Sequence, residues 1–133
     1  MAIFLSCSQG FWGANPGAWE PTGFTPETPF VDVFDRVVNN DPTLTLLEAL
    51  NLTGPGVPVN VNALIREAVA AVLNATHPDL NYPLTEEQVV QEFQNAFDSG
   101  DSNIIEAQKD RFEFFNSPVF LCPLPGIPPI NIQ

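Results

Sequence analysis

Val61-Asn62-Ala63-Leu64-Ile65-Arg66-Glu67-Ala68-Val69-Ala70-Ala71-Val72-Leu73-Asn74-Ala75 is the stretch that decides the fold of this chain. Val61, Leu64, Ile65, Ala68, Val69, Val72 and Leu73 recur at steps of three and four residues, so in a helix they line up as one continuous apolar stripe. The pattern predicts a helix whose apolar side is the centre of the core. Ala70 and Ala71 lie on its flank, where small side chains permit a close neighbour.

Toward the N-terminus, Asn51 to Val59 holds Gly54-Pro55-Gly56 and Pro58 and reads as a loop. Thr45-Leu46-Leu47-Glu48 has the form of a capping box and opens a short helix through Leu50. Pro29 to Val37 carries Phe30, Val33, Phe34 and Val37 at i, i+3, i+4 and i+7, which predicts a helix with Thr28 as cap and Pro29 as first residue. Asn39-Asn40-Asp41-Pro42 breaks it.

Toward the C-terminus, His77 to Pro83 is a loop, and Thr85-Glu86-Glu87-Gln88 is a second capping box with acids where the helix dipole favours them. That helix is expected to run to Phe97 with Val89, Val90, Phe93, Ala96 and Phe97 inward, and Gly100 ends the segment. Asp101 or Ser102 caps a last helix whose face is Ile104, Ile105, Gln108, Phe112 and Phe115. The two helices form an αα-hairpin about Asp98-Ser99-Gly100.

The ends of the chain differ from its middle. Cys7 to Trp19 packs one cysteine, both tryptophans, three glycines and a proline into one short run, and reads as an irregular aromatic plug rather than a helix or strand. After Asn116, five prolines exclude a helix and favour extended chain. The expected fold is mainly α: a single small domain of about five helices, an N-terminal aromatic plug and an extended proline-rich tail. Its divisions are an extension over residues 1–6, a closed helical body over 7–124 and an apolar tail over 125–133.

A chain of 133 residues with 44% hydrophobic residues and eleven Phe suffices for one compact core. Sixteen acids against Arg36, Arg66, Lys109 and Arg111 give a net charge of −12, which disfavours binding to phosphate backbones and anionic lipid. The charged fraction is only 15%, as in a secreted or surface protein or in a subunit that covers much of its outside with copies of itself. No stretch approaches the roughly 20 apolar residues of a membrane span. Ala2 to Cys7 superficially resembles a lipoprotein signal but has no basic region ahead of it, and a true secretion signal is expected to have been removed or replaced.

Cys7 and Cys122 are too far apart in sequence for a common metal-ligand spacing. Two readings stand: a disulfide formed in an oxidising compartment, worth roughly 4–5 kcal/mol for a loop this long, or two buried thiols in a reducing one.

Several motifs recur in order: Gly10-Phe11-Trp12 with Pro16 and Trp19, the leucine-rich short helix, Ala63 to Ala75, Asn81-Tyr82-Pro83, the turn at Ser99 to Asp101, and Cys122-Pro123-Leu124. As a set this resembles small domains of bacterial surface proteins that open on a Cys-x-x-Gly-(Phe/Tyr)-Trp-Lys-Asn-His-Pro motif and close on Cys-Pro-Leu. The resemblance spans Cys7 to Leu124 and implies an extracellular module with no assigned enzymatic role. Gly13, Ala14 and Asn15 stand where that motif has Lys, Asn and His, so no role of that His carries over.

Chemistry-bearing patterns are sparse. No catalytic residues are expected: His77 is the only histidine, and no nucleophile signature, metalloprotease motif or phosphate loop accompanies it. No cofactor is expected. Asp98, Asp101, Asn103 and Glu106 supply oxygen ligands at short spacing, a weak calcium candidate without the order of an EF-hand loop. Asn51-Leu52-Thr53 and Asn74-Ala75-Thr76 match the glycosylation sequon. Phe11, Trp12, Trp19 and Phe24 either plug the core or offer a surface to a sugar or another ligand. The apolar ends, Ile3, Phe4 and Leu5 with Ile127, Pro128, Pro129, Ile130 and Ile132, suit strand addition or groove docking. The expected function is a non-enzymatic extracellular structural or interaction protein that self-assembles into a filament or other surface polymer through these ends, with a carbohydrate- or ligand-binding module using Trp12 and Trp19 as the alternative. The expected partner is the chain itself, with no nucleic acid and no membrane insertion.

Overall fold

The computed structural model describes residues 4–57, 59–117 and 121–125. Six α-helices follow one another as α1 (Gln9–Ala14), α2 (Phe30–Phe34), α3 (Leu46–Leu50), α4 (Asn62–Thr76), α5 (Glu86–Ser99) and α6 (Ser102–Phe115), with a 3₁₀ segment (Pro16–Thr22) after α1. Among the described residues there is no strand, only isolated bridges between Leu5 and Leu121 and between Pro29 and Thr45. The chain is a single small, mainly helical domain. No helix among the described residues is long and apolar enough to cross a membrane.

α4 is the axis of the domain. The predicted stripe is buried, and so are Ala70, Ala71 and Asn74 on its other sides. The small flank lets neighbours close in around the helix, and α1, the 3₁₀ segment, α3, α5 and α6 all pack against it. Leu64, Ile65, Val69, Val72 and Leu73 are fully enclosed, each worth about 1.5–3 kcal/mol of transfer free energy.

Both capping boxes form. Thr45 Oγ1 accepts from the Glu48 N–H at 3.1 Å, and Glu48 Oε1 accepts from the Thr45 N–H at 3.0 Å. Thr85 and Gln88 repeat the exchange at 3.1 and 2.9 Å. Gly100 ends α5 in the left-handed conformation, and Asp101 caps α6 by accepting from the N–H groups of Asn103 and Ile104. A second core layer is aromatic: Phe30 stacks on Phe34 at 4.5 Å, and Phe93 meets both rings edge-on while stacking on Phe97 at 5.6 Å.

The structure corrects the sequence reading in four places. Residues 7–19 are not irregular: Ser8 Oγ accepts from the Phe11 N–H at 3.0 Å and starts α1, and Pro16 opens the 3₁₀ segment. The second helix is shorter than predicted, because Pro29 is extended and held by bonds from Phe30 to Leu44 and from Leu46 to Thr28. It stops at Phe34, whose carbonyl is taken by Gln94 Nε2 at 2.9 Å, while Asp35 turns left-handed (φ 54°) and Arg36 forms a two-point ion pair with Asp98. Val37 is consequently exposed rather than part of a stripe. On α6, Ile105 and Phe112 face inward, but Ile104 is half exposed.

Candidate functional site

Among the described residues, the most elaborate polar structure lies where α1, the end of α4, the 81–82 loop and the end of α6 converge beside the Cys7–Cys122 pair. Asn74, in the last turn of α4, is fully buried. Its Oδ1 accepts from the Cys7 N–H at 2.7 Å and from Trp12 Nε1 at 3.2 Å. Its Nδ2 donates to the Cys7 carbonyl at 2.8 Å and to Asn116 Oδ1 at 3.0 Å. Asn116, the residue after α6, accepts from the Tyr82 hydroxyl at 2.7 Å and donates to the carbonyl and Oε1 of Glu67 at 3.0 and 2.9 Å. Trp19 joins the set by donating from Nε1 to the Trp12 carbonyl at 3.0 Å.

Among the described residues no buried side-chain nitrogen or oxygen lacks a partner, so this network rigidifies the junction without leaving a reactive group idle. Burial, with the Glu67 and Glu92 charges nearby, pushes the Tyr82 phenol far above its ordinary value and keeps it a hydrogen-bond donor. Burial also pushes the Glu67 carboxyl up, against the lowering effect of its bond from Asn116.

Above the network Leu5 to Cys7 are joined to Leu121 and Cys122. Cys7 and Cys122 form a disulfide with Cα atoms 4.7 Å apart. The Leu5 N–H donates to the Asn81 carbonyl at 3.0 Å and the Ser6 N–H to the Leu121 carbonyl at 3.1 Å, and Leu5 and Leu121 bridge in parallel. Ser6 Oγ donates to the Phe115 carbonyl at 2.6 Å. Leu5 to Cys7 and Leu121 to Cys122 therefore lie side by side and run in the same direction. Next to them lies a groove of about 600 Å³ whose walls include Pro16, Ala18, Pro21, His77, Leu124 and Pro125.

The structure disposes of the other sequence candidates as follows. Trp12 and Trp19 are buried, their indole N–H groups are committed inside, and Phe11 and Phe24 pack partly buried against the core, so the four do not make an open stacking surface. His77 is 5% exposed, caps α4 with its own N–H and accepts from the Asp79 N–H at Nδ1. The calcium candidates do not converge: Asp98 pairs with Arg36, Asp101 caps α6 and Glu106 pairs with Lys109. No group of three or more His, Cys, Asp or Glu that could hold a metal is found among the described residues. Of the end residues, Phe4 is exposed and Leu5 bridges to Leu121, whereas Ile3, Ile127, Pro128, Pro129, Ile130 and Ile132 lie outside the described residues.

Sequence reasoning missed Asn74, Asn116, Tyr82 and Glu67 as one unit. A polar Asn directly after the unbroken apolar run Ala68 to Leu73 was the available signal, and the Asn-Tyr-Pro motif marked Tyr82 without indicating its partner.

Residues 7–118 match the family model of the protodermal factor 1 C-terminal domain, and the chain belongs to that family. The matched span starts at Cys7 and takes in every helix and the whole Asn74 network. It does not bear on the resemblance to bacterial surface domains. No curated protein and no solved structure matches the chain.

Proposed function

We propose that this protein is a non-enzymatic extracellular structural and interaction module that self-associates through its terminal segments. The observation that carries this reading is the pairing of the segments that precede the two chain ends, through the Leu5–Leu121 bridge and the Cys7–Cys122 bond, beside a largely apolar groove that Leu124 and Pro125 help to line. A bond closing a loop of 115 residues suits an oxidising compartment. The low charged fraction and the Ile- and Pro-rich sequence after Pro125 suit a chain that covers apolar surface on a neighbour.

The place where a neighbour accepts the tail decides the form of assembly. Two subunits that exchange the same segment reciprocally make an isologous contact, which closes as a dimer, whereas head-to-tail acceptance from one subunit to the next builds a filament. The test compares the full chain with one ending at Leu124, by light scattering and electron microscopy across a range of concentrations. Self-association that requires residues 125–133 supports the reading, and discrete dimers or filaments then report where the acceptor lies. A monodisperse full-length monomer at high concentration, or assemblies unchanged by the truncation, overturns it.

A further inference from the structure

Both sequons of this chain are legible in sequence, but the structure treats their asparagines in opposite ways. Asn51 ends α3 and is exposed together with Thr53. Its Nδ2 makes one bond, donating to the Leu47 carbonyl at 3.0 Å. The loop around it is held in place, since Arg66 donates to the Leu52 carbonyl at 2.8 Å and Asn62 Nδ2 to the Thr53 carbonyl at 2.9 Å. An open depression of about 460 Å³ bordered by Gln9, Leu50, Leu52, Thr53, Gly54 and Arg66 adjoins the side chain.

Asn74 is fully buried and uses both amide hydrogens, one on the Cys7 carbonyl and one on Asn116 Oδ1. An asparagine carrying a glycan keeps a single N–H. That arithmetic is compatible with Asn51, which needs one donor, and incompatible with Asn74, which needs two and has no room for a sugar.

We infer that Asn51 is an N-glycan attachment site and that Asn74, despite its matching sequon, remains unmodified in the folded protein. The donor is a lipid-diphosphate-linked oligosaccharide. The Asn51 amide nitrogen displaces the diphosphate from the anomeric carbon, a C–N bond replaces the C–O bond, the lipid diphosphate leaves and one amide proton is released. No oxidant or reductant is involved. The inference rests on the extracellular reading above, because only a chain that passes through the secretory pathway meets this donor.

The test is intact-mass measurement, with and without peptide N-glycosidase, on the full chain carrying a cleavable leader and secreted by cultured eukaryotic cells, and on the protein from its natural source. Expected are one glycan mapped to Asn51, its complete loss in Asn51→Gln and in Thr53→Ala, and no change in Thr76→Ala, which removes the second sequon while leaving Asn74 in place. A disulfide-bonded chain of bare polypeptide mass, or a glycan on Asn74 in folded protein, overturns the inference and leaves the extracellular reading standing. Two free thiols in protein from the natural source overturn both.

Discussion

Asn74 holds the backbone of Cys7 by both of its polar atoms, Oδ1 accepting from the Cys7 N–H at 2.7 Å and Nδ2 donating to the Cys7 carbonyl at 2.8 Å. One carboxamide at the end of the central helix thus fixes the residue that carries the disulfide, 67 positions earlier in the chain. The same side chain anchors Trp12 and Asn116, so the aromatic N-terminal helices, the core helix and the last helix share one hub.

Asn74→Ala is expected to cost about 3–5 kcal/mol, because it orphans the Cys7 N–H and carbonyl and the Trp12 N–H in a buried site. Urea unfolding of the oxidised proteins measures it. A loss below about 1 kcal/mol would show that the hub is not what holds the junction.

Breaking the Cys7–Cys122 bond, by reductant or by the double substitution to serine, is expected to lower stability by roughly 5 kcal/mol in the chain-entropy account. The Asn74 bonds to Cys7 act independently of the sulfurs, so the reduced chain should keep its helical circular dichroism at low temperature while its Tm falls. An unchanged Tm under reductant contradicts this.

Acid and base pull on this fold in opposite directions. Glu67 has a raised folded-state pKa, so its contribution to stability is complete below the ordinary carboxylate value and is lost as pH rises through the raised one. Burial alone would also raise Glu92, but its bonds from Arg111 and Gln108 outweigh burial and bring it below the ordinary value. Asp98 is lowered by its bond from Arg36. Those two contribute above the ordinary value and lose their contribution as pH falls through the lowered ones. Glu67→Gln should therefore be more stable than the parent at neutral pH and should lose the decline that starts in mild acid, as read by Tm against pH. A variant less stable at neutral pH would mean that the charged Glu67 is needed to hold Asn116.

Gly56 and Gly100 both have positive φ, 84° and 63°, but in different surroundings. A Cβ at Gly100 meets nothing within 4 Å, so Gly100→Ala should cost only the backbone term of about 1 kcal/mol. A Cβ at Gly56 would run into the Asn62 carboxamide, which organises the loop by bonding Asn39 and Thr53. Gly56→Ala should therefore cost more than Gly100→Ala in thermal unfolding, and the reverse order would overturn this account of the loop.

Local signals in the sequence were sufficient for the helices of the middle of the chain. The α4 stripe, the boxes at Thr45 and Thr85, and the turn at Gly100 each need only residues within one or two helical turns, and α3 to α6 formed where those signals stood. Such signals depend on backbone donors and apolar spacing that no distant residue has to supply. The end of α2 was different, because on another helix Gln94 takes the Phe34 carbonyl that would have continued it and Asp98 holds the Arg36 side chain just beyond. The fate of the sequons was also tertiary: Asn51 and Asn74 carry the same motif, and only the packing of α1 and α6 onto the end of α4 buries one and leaves the other in solvent. The polar hub joins residues from 7 to 116 in sequence position, and hydrogen bonds between groups so far apart leave no periodicity to read. The sequence by itself determined where α3, α4, α5 and α6 start and which face of α4 is the apolar stripe. Only the tertiary structure decided which polar groups meet inside, because burial and pairing depend on what the rest of the chain brings to each helix face.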